Sequence, residues 1–579
     1  MVLVSPEKIE QYTRAGWWGH KTLWDQFVHN RAAHPHTEAV VDACNRSDFA
    51  HGAPRRLTWD ELGDEIDRFS TVLHAQGLRR DDIVVLHLPN SVEQYLAYMA
   101  CARLGLIVTP VPVQYREHEM SHVLSITKAA AVLTFTHIGK SGQGHHAAAM
   151  YQQLSQAHPS LRKVLAWGPQ ASEGVQSIEA LMPVKMTPEL HATLTQAEIE
   201  AAITANDVFS VCWTSGTEAA PKGVPRSHNE WLIVPPNVIE AAELKPGARL
   251  LNPFPFVNMS GLSTALAAWL ALGGTVVQHH PFNLSIFLKQ LREERIDFTL
   301  AAPAILNMLL QDETLLAGID FKRLRRMGSG SAPLSDWMVK GFAEKYGVQI
   351  VNYFGSNEGA ALSGSDLDIP DPGLRSQYFP RAGVDGFNWH ISTTRKIKTR
   401  LVDLTTGEDI TQAAQVGELR FSGPTVFSGY FRAPEVTART FDAQGFYCTG
   451  DLFEIAGDQL QYYRYVGRSK DLVIRGGVNI SSEEIEGLLA ACPGVREVAV
   501  VGVPDHILGE KICACVVPLE GHDVSLEQLV KFLREQQRVA AYKLPEYLLP
   551  LAVIPRNPVG KILKRELREQ AKHLSKDSA

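Results

Sequence analysis

Short apolar runs alternate with amphipathic segments through the first half of the chain. Residues 83–88 and 106–113 form such runs, and residues 93–104 between them have the length and composition of a helix. The pattern returns over residues 250–310, where a helix is predicted at 284–294. Continuous apolar strands that alternate with helices predict an α/β fold, with parallel sheets covered by helices.

Further along, the pattern changes twice. From Gly417 the chain becomes rich in alternating β-type segments, which predicts a β-rich subdomain. A boundary fits near residues 469–470, and the segment after it has the strands and helices of a small α+β domain. Capping boxes are predicted where Thr58 precedes Glu61 and where Ser481 precedes Glu484, so helices should begin at both places.

Composition narrows the class of protein. The chain of 579 residues has 45% hydrophobic and 21% charged residues, as globular proteins do, and its net charge of −7 gives no support for nucleic-acid binding. The longest apolar stretch, residues 264–277, contains two glycines and is too short to span a membrane. Seven scattered cysteines, together with residues 1–22 that lack an apolar signal core, predict a cytoplasmic protein.

The sequence VCWTSGTEAAPKG at residues 211–223 places a hydroxyl-rich turn directly after an apolar strand. Its hydroxyl donors and its glycine are Thr214, Ser215, Thr217 and Gly216. Such a turn can form an anion-binding concavity of backbone N–H groups, and Lys222 adds a mobile positive charge. These groups are what a polyphosphate needs, although the Walker GxxxxGK[ST] pattern is absent. By itself the stretch also fits a plain surface loop.

Five further motifs follow in order. They are YFGSNE at 353–358, YCTGD at 447–451, GRSKD at 467–471, GGVNI at 476–480 and NPVGK at 557–561. With the loop at 211–223, this set resembles the motifs of the adenylate-forming superfamily, which includes acyl-CoA synthetases, aryl-acid ligases, peptide-synthetase adenylation domains and luciferases. The resemblance covers nearly the whole chain. It implies ATP-dependent conversion of a carboxylic acid to acyl-AMP with release of pyrophosphate.

The resemblance also implies a role for individual residues. Lys561 would be the catalytic cation that bridges the carboxylate and the α-phosphate. Glu358, with Thr217, would hold the Mg²⁺ ion that bridges ATP phosphates. Asp451 would accept hydrogen bonds from the ribose hydroxyls, and Arg468 would contact ribose or phosphate. The rest of the implied ATP/AMP site is Thr214, Ser215, Gly216, Lys222, Ser331, Phe354, Gly355 and Asn357, of which Phe354 would stack on adenine.

In the family, a C-terminal domain rotates between an adenylating and a thioester-forming state. By resemblance the hinge is Lys470, which divides an ATP- and acyl-binding domain (1–469) from a mobile domain (470–579) that carries Lys561. The second state would insert Gly476 and Gly477, whose missing side chains would let a pantetheine arm pass. The thiol would belong to CoA or, alternatively, to carrier-protein phosphopantetheine. A homodimer is possible, since homodimers are common among relatives.

Several positions depart from the family pattern. The implied acyl pocket contains Asn258, Met259 and Gly330, and Asn258 stands where a histidine or an aromatic residue is usual. Met259 takes the place of the acidic residue of amino-acid activators, so we expect an uncharged, mostly apolar acid. Asn357 replaces a threonine and Ala219 a glycine. A non-catalytic homologue is a further alternative, against which the retained Lys561, Glu358 and Asp451 argue.

Overall fold

Five β-sheets organise the chain in the computed structural model, which describes residues 1–140, 144–169, 173–214, 221–475, 478–557 and 560–574. The largest sheet has seven strands. From edge to edge they are Gln176–Ser177, Lys163–Trp167, Ala131–Phe135, Ile83–His87, Ile107–Pro110, Val208–Trp213 and Gly223–Ser227. All neighbours pair in parallel except the last two, which form an antiparallel pair around the predicted phosphate loop.

Two further sheets share the parallel character. One consists of Phe298–Thr299, Arg249–Asn252, Thr275–Gln278, Glu38–Val41 and Arg56–Thr58. The other consists of Arg326–Gly330, Gln349–Gly355 and Ala361–Gly364. A parallel bridge between Leu300 and Gly328 joins them, so the chain carries two helix-covered, mainly parallel sheet layers, as predicted.

The β-rich segment predicted from Gly417 belongs to a sheet in which all neighbouring strands are antiparallel. Its strands, in order, are Tyr378–Pro380, Tyr462–Arg468, Tyr447–Ala456, Val416–Ser422 and Lys398–Val402. The last sheet follows residue 472. It contains Val478–Ile480, Val473–Arg475, Gly509–Pro518 and Val495–Asp505, with Tyr547–Pro550 added in parallel beside Gly509–Pro518.

Helices cover the sheets and connect their strands. The α-helices before residue 300 are Pro6–Arg14, Leu23–Ala33, Trp59–Ala75, Val92–Leu104, Glu117–Thr127, Ala147–Ala157, Ile178–Leu181, Pro188–Ala201, His228–Leu232, Pro236–Ile239, Met259–Leu262, Trp269–Leu272 and Leu284–Glu293. Those after it are Pro303–Gln311, Asp336–Tyr346, Pro372–Gln377, Pro434–Ala438, Ser482–Leu489, Leu526–Lys531 and Lys564–Ala571. Ser263–Ala268 and Phe532–Gln536 are π-helical. Among the described residues, no helix has the length and apolar character needed to cross a membrane.

Two local predictions needed correction. The strand predicted at 106–113 is shorter, Ile107–Pro110, because the prolines at 110 and 112 cannot donate to a sheet ladder. The capping box at Ser481 is only half formed: its hydroxyl oxygen accepts from the Glu484 backbone N–H at 3.1 Å, but the Glu484 carboxylate binds Lys543 instead, at 2.7 Å.

Candidate active site

An ion pair with a buried carboxylate joins two neighbouring strands of the antiparallel sheet. Asp451 and Arg468 are cross-strand partners, and Arg468 Nε lies 2.9 Å from Asp451 Oδ1. The turn before Asp451 is fixed, because the Thr449 hydroxyl oxygen accepts from the Asp451 backbone N–H at 3.0 Å and the Gly450 N–H donates to Glu418 Oε1 at 2.9 Å. Burial raises the pKa of Asp451, and the charge of Arg468 opposes that rise.

Lys561 shares the electrostatic environment of this pair, although the two motifs are about a hundred residues apart in sequence. Its backbone is held in a turn by Asn557, whose side-chain oxygen accepts from the Lys561 N–H at 2.8 Å. The side chain is half-buried. Burial and the positive charge of Arg468 lower the pKa of Lys561 to about 8, against the opposing influence of Asp451. The ammonium therefore titrates close to neutral pH.

The predicted hinge forms a short 3₁₀ turn, Ser469–Asp471. Arg568, from the last helix, donates to the Lys470 carbonyl oxygen at 3.1 Å and to Asp471 Oδ1 at 2.7 Å. On the other side, the Ser469 hydroxyl donates to the Gly450 carbonyl oxygen at 3.2 Å. The turn is therefore bonded to the last helix on one side and to the segment that precedes Asp451 on the other.

Glu358 is buried and accepts a hydrogen bond from Tyr430, a contact that the sequence did not predict. The hydroxyl of Tyr430 donates to Glu358 Oε1 at 2.7 Å, and the Lys222 Nζ atom lies 4.2 Å from the centroid of the same Tyr430 ring. Tyr430 is itself fixed by its backbone N–H, which donates to the Thr437 hydroxyl oxygen at 2.9 Å. One tyrosine thus contacts both the predicted metal ligand and the predicted phosphate-binding lysine.

Asn357 connects two parts of the predicted site. Its side-chain oxygen accepts from the Met259 backbone N–H at 2.8 Å, and its NH₂ group donates to the Trp213 carbonyl oxygen at 3.0 Å. Its own carbonyl accepts from the fully buried Arg226 at 3.2 Å. The asparagine that departs from the family pattern therefore ties the strand before the phosphate loop to the helix that begins at Met259.

A cavity of about 110 Å³ opens beside these residues. The predicted residues that line it are Met259, Gly330, Ser331, Phe354 and Gly355. Positions assigned to the acyl pocket and to the adenylate thus face one space. Asn258 is absent from the described lining, and its side-chain oxygen accepts from the Gly261 N–H at 3.3 Å as the helix N-cap.

Some predicted positions lie outside the described residues. They are Ser215, Gly216, Thr217, Gly476 and Gly477. The base of the phosphate loop is described on both sides. The Thr214 hydroxyl oxygen accepts from the Lys222 N–H at 3.1 Å, and the Thr214 N–H donates to the Lys222 carbonyl at 2.9 Å, so the two ends of the loop are closed together.

Two family models match this chain. A family model described as AMP-binding enzyme matches residues 27–431, and a second, AMP-binding enzyme C-terminal domain, matches residues 484–561. The chain belongs to the AMP-binding enzyme family. As an AMP-binding enzyme it falls among the adenylate-forming proteins that the motifs resemble, and its mixed α/β fold is the one expected.

Named relatives of this AMP-binding enzyme extend over almost its full length. It is 30% identical to 2-hydroxy-7-methoxy-5-methyl-1-naphthoate–CoA ligase of Streptomyces carzinostaticus, covering 98% of this chain and 96% of that protein. It is 28% identical to the medium-chain fatty-acid–CoA ligase of Escherichia coli K12, covering 96% and 92%. Among solved structures, ATP-bound MatB from Rhodopseudomonas palustris has 25% identity and a TM-score of 0.76, covering 96% of this chain and all of that one.

Proposed function

We propose that this protein is an AMP-forming carboxylate–CoA ligase. The observation that carries the proposal is the ion pair of Asp451 and Arg468, whose charges act on Lys561, in a chain of the AMP-binding enzyme family. Asp451 is the carboxylate that we assign to the ribose, and packing alone does not require a lysine of the C-terminal region beside it. We propose that Lys561 brings a positive charge to the bound nucleotide, and its electrostatic coupling to Asp451 and Arg468 supports this role.

The reaction has two steps. A carboxylate oxygen of the acid attacks the α-phosphorus of ATP, the bond to the β-phosphate bridging oxygen breaks, and pyrophosphate leaves. Lys561 stabilises the negative charge that both anions bring to the transition state. A thiolate then attacks the acyl carbon, and AMP leaves with the oxygen that came from the acid. In our proposal Asp451 and Arg468 hold the ribose, and Phe354 provides a face for adenine.

The donor set near the phosphate loop fits Mg²⁺ that arrives with ATP. Within the described ranges, no group of three or more His, Cys, Asp or Glu side chains is arranged to cage a metal. A single carboxylate beside bound phosphates and water is a usual magnesium arrangement, and we propose that Glu358 is that carboxylate. When bound, the ion neutralises phosphate charge. Glu358 orients it, and Tyr430 orients Glu358.

The acceptor and the domain boundary are parts of the same proposal. We infer CoA as the thiol, because several of the similar proteins are named CoA ligases. We retain carrier-protein phosphopantetheine as the alternative, because others are named triostin synthetase I and pyochelin synthase PchD and not CoA ligase. The buried apolar clusters after residue 472 contain no described residue from before it, which supports domains 1–469 and 470–579 with Lys470 between them.

All seven cysteines are free, which supports a cytoplasmic location. The homodimer stays a prediction.

A panel of carboxylic acids tests the proposal. Purified protein, ATP and each acid are assayed for pyrophosphate release, first without a thiol and then with CoA or with a phosphopantetheinylated carrier protein. We expect an acid-dependent burst without thiol and steady turnover with CoA, detected as the CoA thioester by mass spectrometry. Turnover with carrier protein alone would favour the alternative, and the absence of any acid-dependent pyrophosphate release would contradict both.

Tyr430→Phe should weaken metal–nucleotide binding while the protein stays folded. The variant keeps the ring that Lys222 contacts but removes the hydroxyl that fixes Glu358. Partners that orient a metal ligand typically contribute about 10–100-fold to affinity or activity. We expect the Kd for Mn²⁺–ATP, measured by electron paramagnetic resonance, to rise by about tenfold. Tyr378→Phe is the matched control, because that ring stacks on Tyr462 at the edge of the antiparallel sheet and has no described contact with Glu358 or Lys222. Equal Kd values for Tyr430→Phe and the wild type would show that the Tyr430 hydroxyl does not contribute to metal–nucleotide binding.

The pH profile should also report on Lys561. Its pKa is lowered to about 8, so the ammonium is present below that pH and lost above it. We therefore expect kcat/KM for ATP to fall as pH rises through about 8, since this parameter follows the free enzyme. Lys561→Arg keeps its charge throughout this range and should move the alkaline limb upward. An unchanged alkaline limb in that variant would assign it to another group.

A further inference from the structure

A fully buried arginine contacts the loop that carries the predicted metal ligand. Arg226 belongs to the strand that follows the phosphate loop, and none of its surface is exposed to solvent. Its guanidinium donates to the backbone carbonyl oxygens of Glu230 at 2.8 Å, Thr425 at 3.0 Å and Asn357 at 3.2 Å. These bonds to described residues all end on neutral oxygens. Burying a charge without an ion pair is costly, so packing alone does not explain why an arginine is buried here.

The contacts of Arg226 join the two segments that hold Glu358. Asn357 directly precedes Glu358 in the chain, and the Glu358 carbonyl oxygen accepts from the Phe427 N–H at 2.9 Å. The segment that begins at Thr425 therefore bonds to the Glu358 backbone through Phe427 and to its carboxylate through Tyr430. Because Arg226 bonds to one carbonyl oxygen in each segment, it fixes their separation.

The two segments meet most closely at Gly359. This glycine has a φ of 98°, and a Cβ atom placed on it would lie 1.8 Å from the Thr425 carbonyl oxygen and 2.7 Å from Arg226 Nη1. Only glycine allows both this conformation and this approach. The guanidinium thus lies against the backbone on either side of Glu358, in a space that leaves little freedom to either segment.

We propose that Arg226 is a positioning residue for Glu358: it bonds to both segments and so fixes the carboxylate where the metal–nucleotide complex binds. The inference rests on the proposed function, because it takes Glu358 as the carboxylate that orients Mg²⁺. Burial lowers the pKa of Arg226, and the negative charges of Glu230 and Glu358 oppose that fall. Since the donors of Arg226 go to backbone oxygens, the Glu358 carboxylate is not taken up in an ion pair with it.

Two substitutions of Arg226 test the role. Arg226→Lys keeps the positive charge, but a compact ammonium does not reproduce the planar fork that reaches separate carbonyl oxygens. We expect the Kd for Mn²⁺–ATP, measured by electron paramagnetic resonance, to rise by about tenfold, as it does when partners of a metal ligand are removed. Arg226→Gln should raise it similarly, and this variant should fold even if the lysine variant does not, because it removes the buried charge and keeps an NH₂ donor. Binding of ATP in EDTA, followed by equilibrium dialysis, should not change, because no metal then engages Glu358.

Arg375→Lys is the matched control. Arg375 is also fully buried, and it donates to the carbonyl oxygens of Ile350 at 3.0 Å and Ile369 at 2.8 Å, outside the two segments that hold Glu358. Thermal unfolding should show that both lysine variants are destabilised, whereas only Arg226→Lys should weaken Mn²⁺–ATP binding. Unchanged Kd values in the Arg226 variants, or an equal rise in the Arg375 variant, would overturn the inference.

A double-mutant cycle separates this inference from the proposed function. If Arg226 acts through Glu358, then Arg226→Lys should cause little further rise in the Kd for Mn²⁺–ATP once Glu358→Gln is present. Two rises that multiply independently would contradict the inference, although the wild-type protein would still bind Mn²⁺–ATP and the proposed function would stand. A wild-type protein that binds no Mn²⁺–ATP would contradict both.

Discussion

Replacing Lys561 with alanine should lower the rate of adenylation by about 10²–10³ and leave the fold intact. The lysine lies in a turn and is half-buried beside Asp451 and Arg468, so it carries little of the hydrophobic core. Removing it would leave the charge that develops between the carboxylate and the α-phosphate without its positioned cation. Single-turnover pyrophosphate release measures the effect.

The second half-reaction is the internal control for this variant. Thioester formation from supplied acyl-AMP and CoA should be nearly unaffected, because Lys561 acts on the phosphate and not on the acyl carbon. Lys511→Ala is the matched control, since Lys511 also belongs to the C-terminal region but pairs with Asp505 at 2.7 Å. If Lys561→Ala slowed both half-reactions equally, the lysine would not have the role assigned.

Lys470→Pro should separate the two half-reactions. Proline fixes φ near −65°, which is the value found in 3₁₀ turns such as Ser469–Asp471. The variant should therefore stabilise the present arrangement, in which Lys561 approaches Asp451, and hinder rotation away from it. We expect adenylation to persist within about tenfold of the wild type and thioester formation to fall by a larger factor.

Lys470→Ala is the comparison variant, since it removes the side chain but leaves the backbone free to rotate. It should retain both half-reactions better than the proline variant does. Equal retention of both activities in Lys470→Pro would place the hinge elsewhere. Loss of both activities together, with a normal circular dichroism spectrum, would mean that residue 470 contributes by direct contact.

Local sequence signals predicted those features that depend on neighbouring residues. The helix at Trp59 begins where Thr58 and Glu61 form the predicted reciprocal cap, with bonds of 3.2 and 2.8 Å. The apolar run at 83–88 is a fully buried strand because its residues face helices on both sides of the sheet. In both cases tertiary contacts agree with the local preference.

The same reasoning failed where a distant partner competes. At Ser481 the pattern of residues is also that of a capping box, but the Glu484 carboxylate is taken by Lys543, 59 residues away. Tyr430 was missed because its bond to Glu358 spans 72 residues, and no local pattern distinguishes it from a core tyrosine. In the sequence, Tyr430 is marked only by the glycine directly before it, and the structure gives that Gly429 a φ of 142°.

The candidate site was predicted mainly by motif resemblance and was refined by contacts. Resemblance assigned Asn357 to the nucleotide, whereas its side chain links Trp213 to Met259. Asn258, assigned to the acyl pocket, caps a helix through its side-chain oxygen. The Asn357 contacts join three segments that meet only in the folded chain, so no alignment of motifs could have supplied them. The Asn258 cap is local, because it bonds to a residue three positions along the chain.

Oxygen transfer from the acid to AMP tests the central claim most directly. The protein is incubated with ATP, CoA and an acid whose carboxylate carries heavy oxygen, and the products are analysed by mass spectrometry. If the carboxylate attacks the α-phosphorus and the thiol then attacks the acyl carbon, AMP must acquire one labelled oxygen and the thioester must keep the other. Unlabelled AMP formed together with the thioester would contradict activation through acyl-AMP.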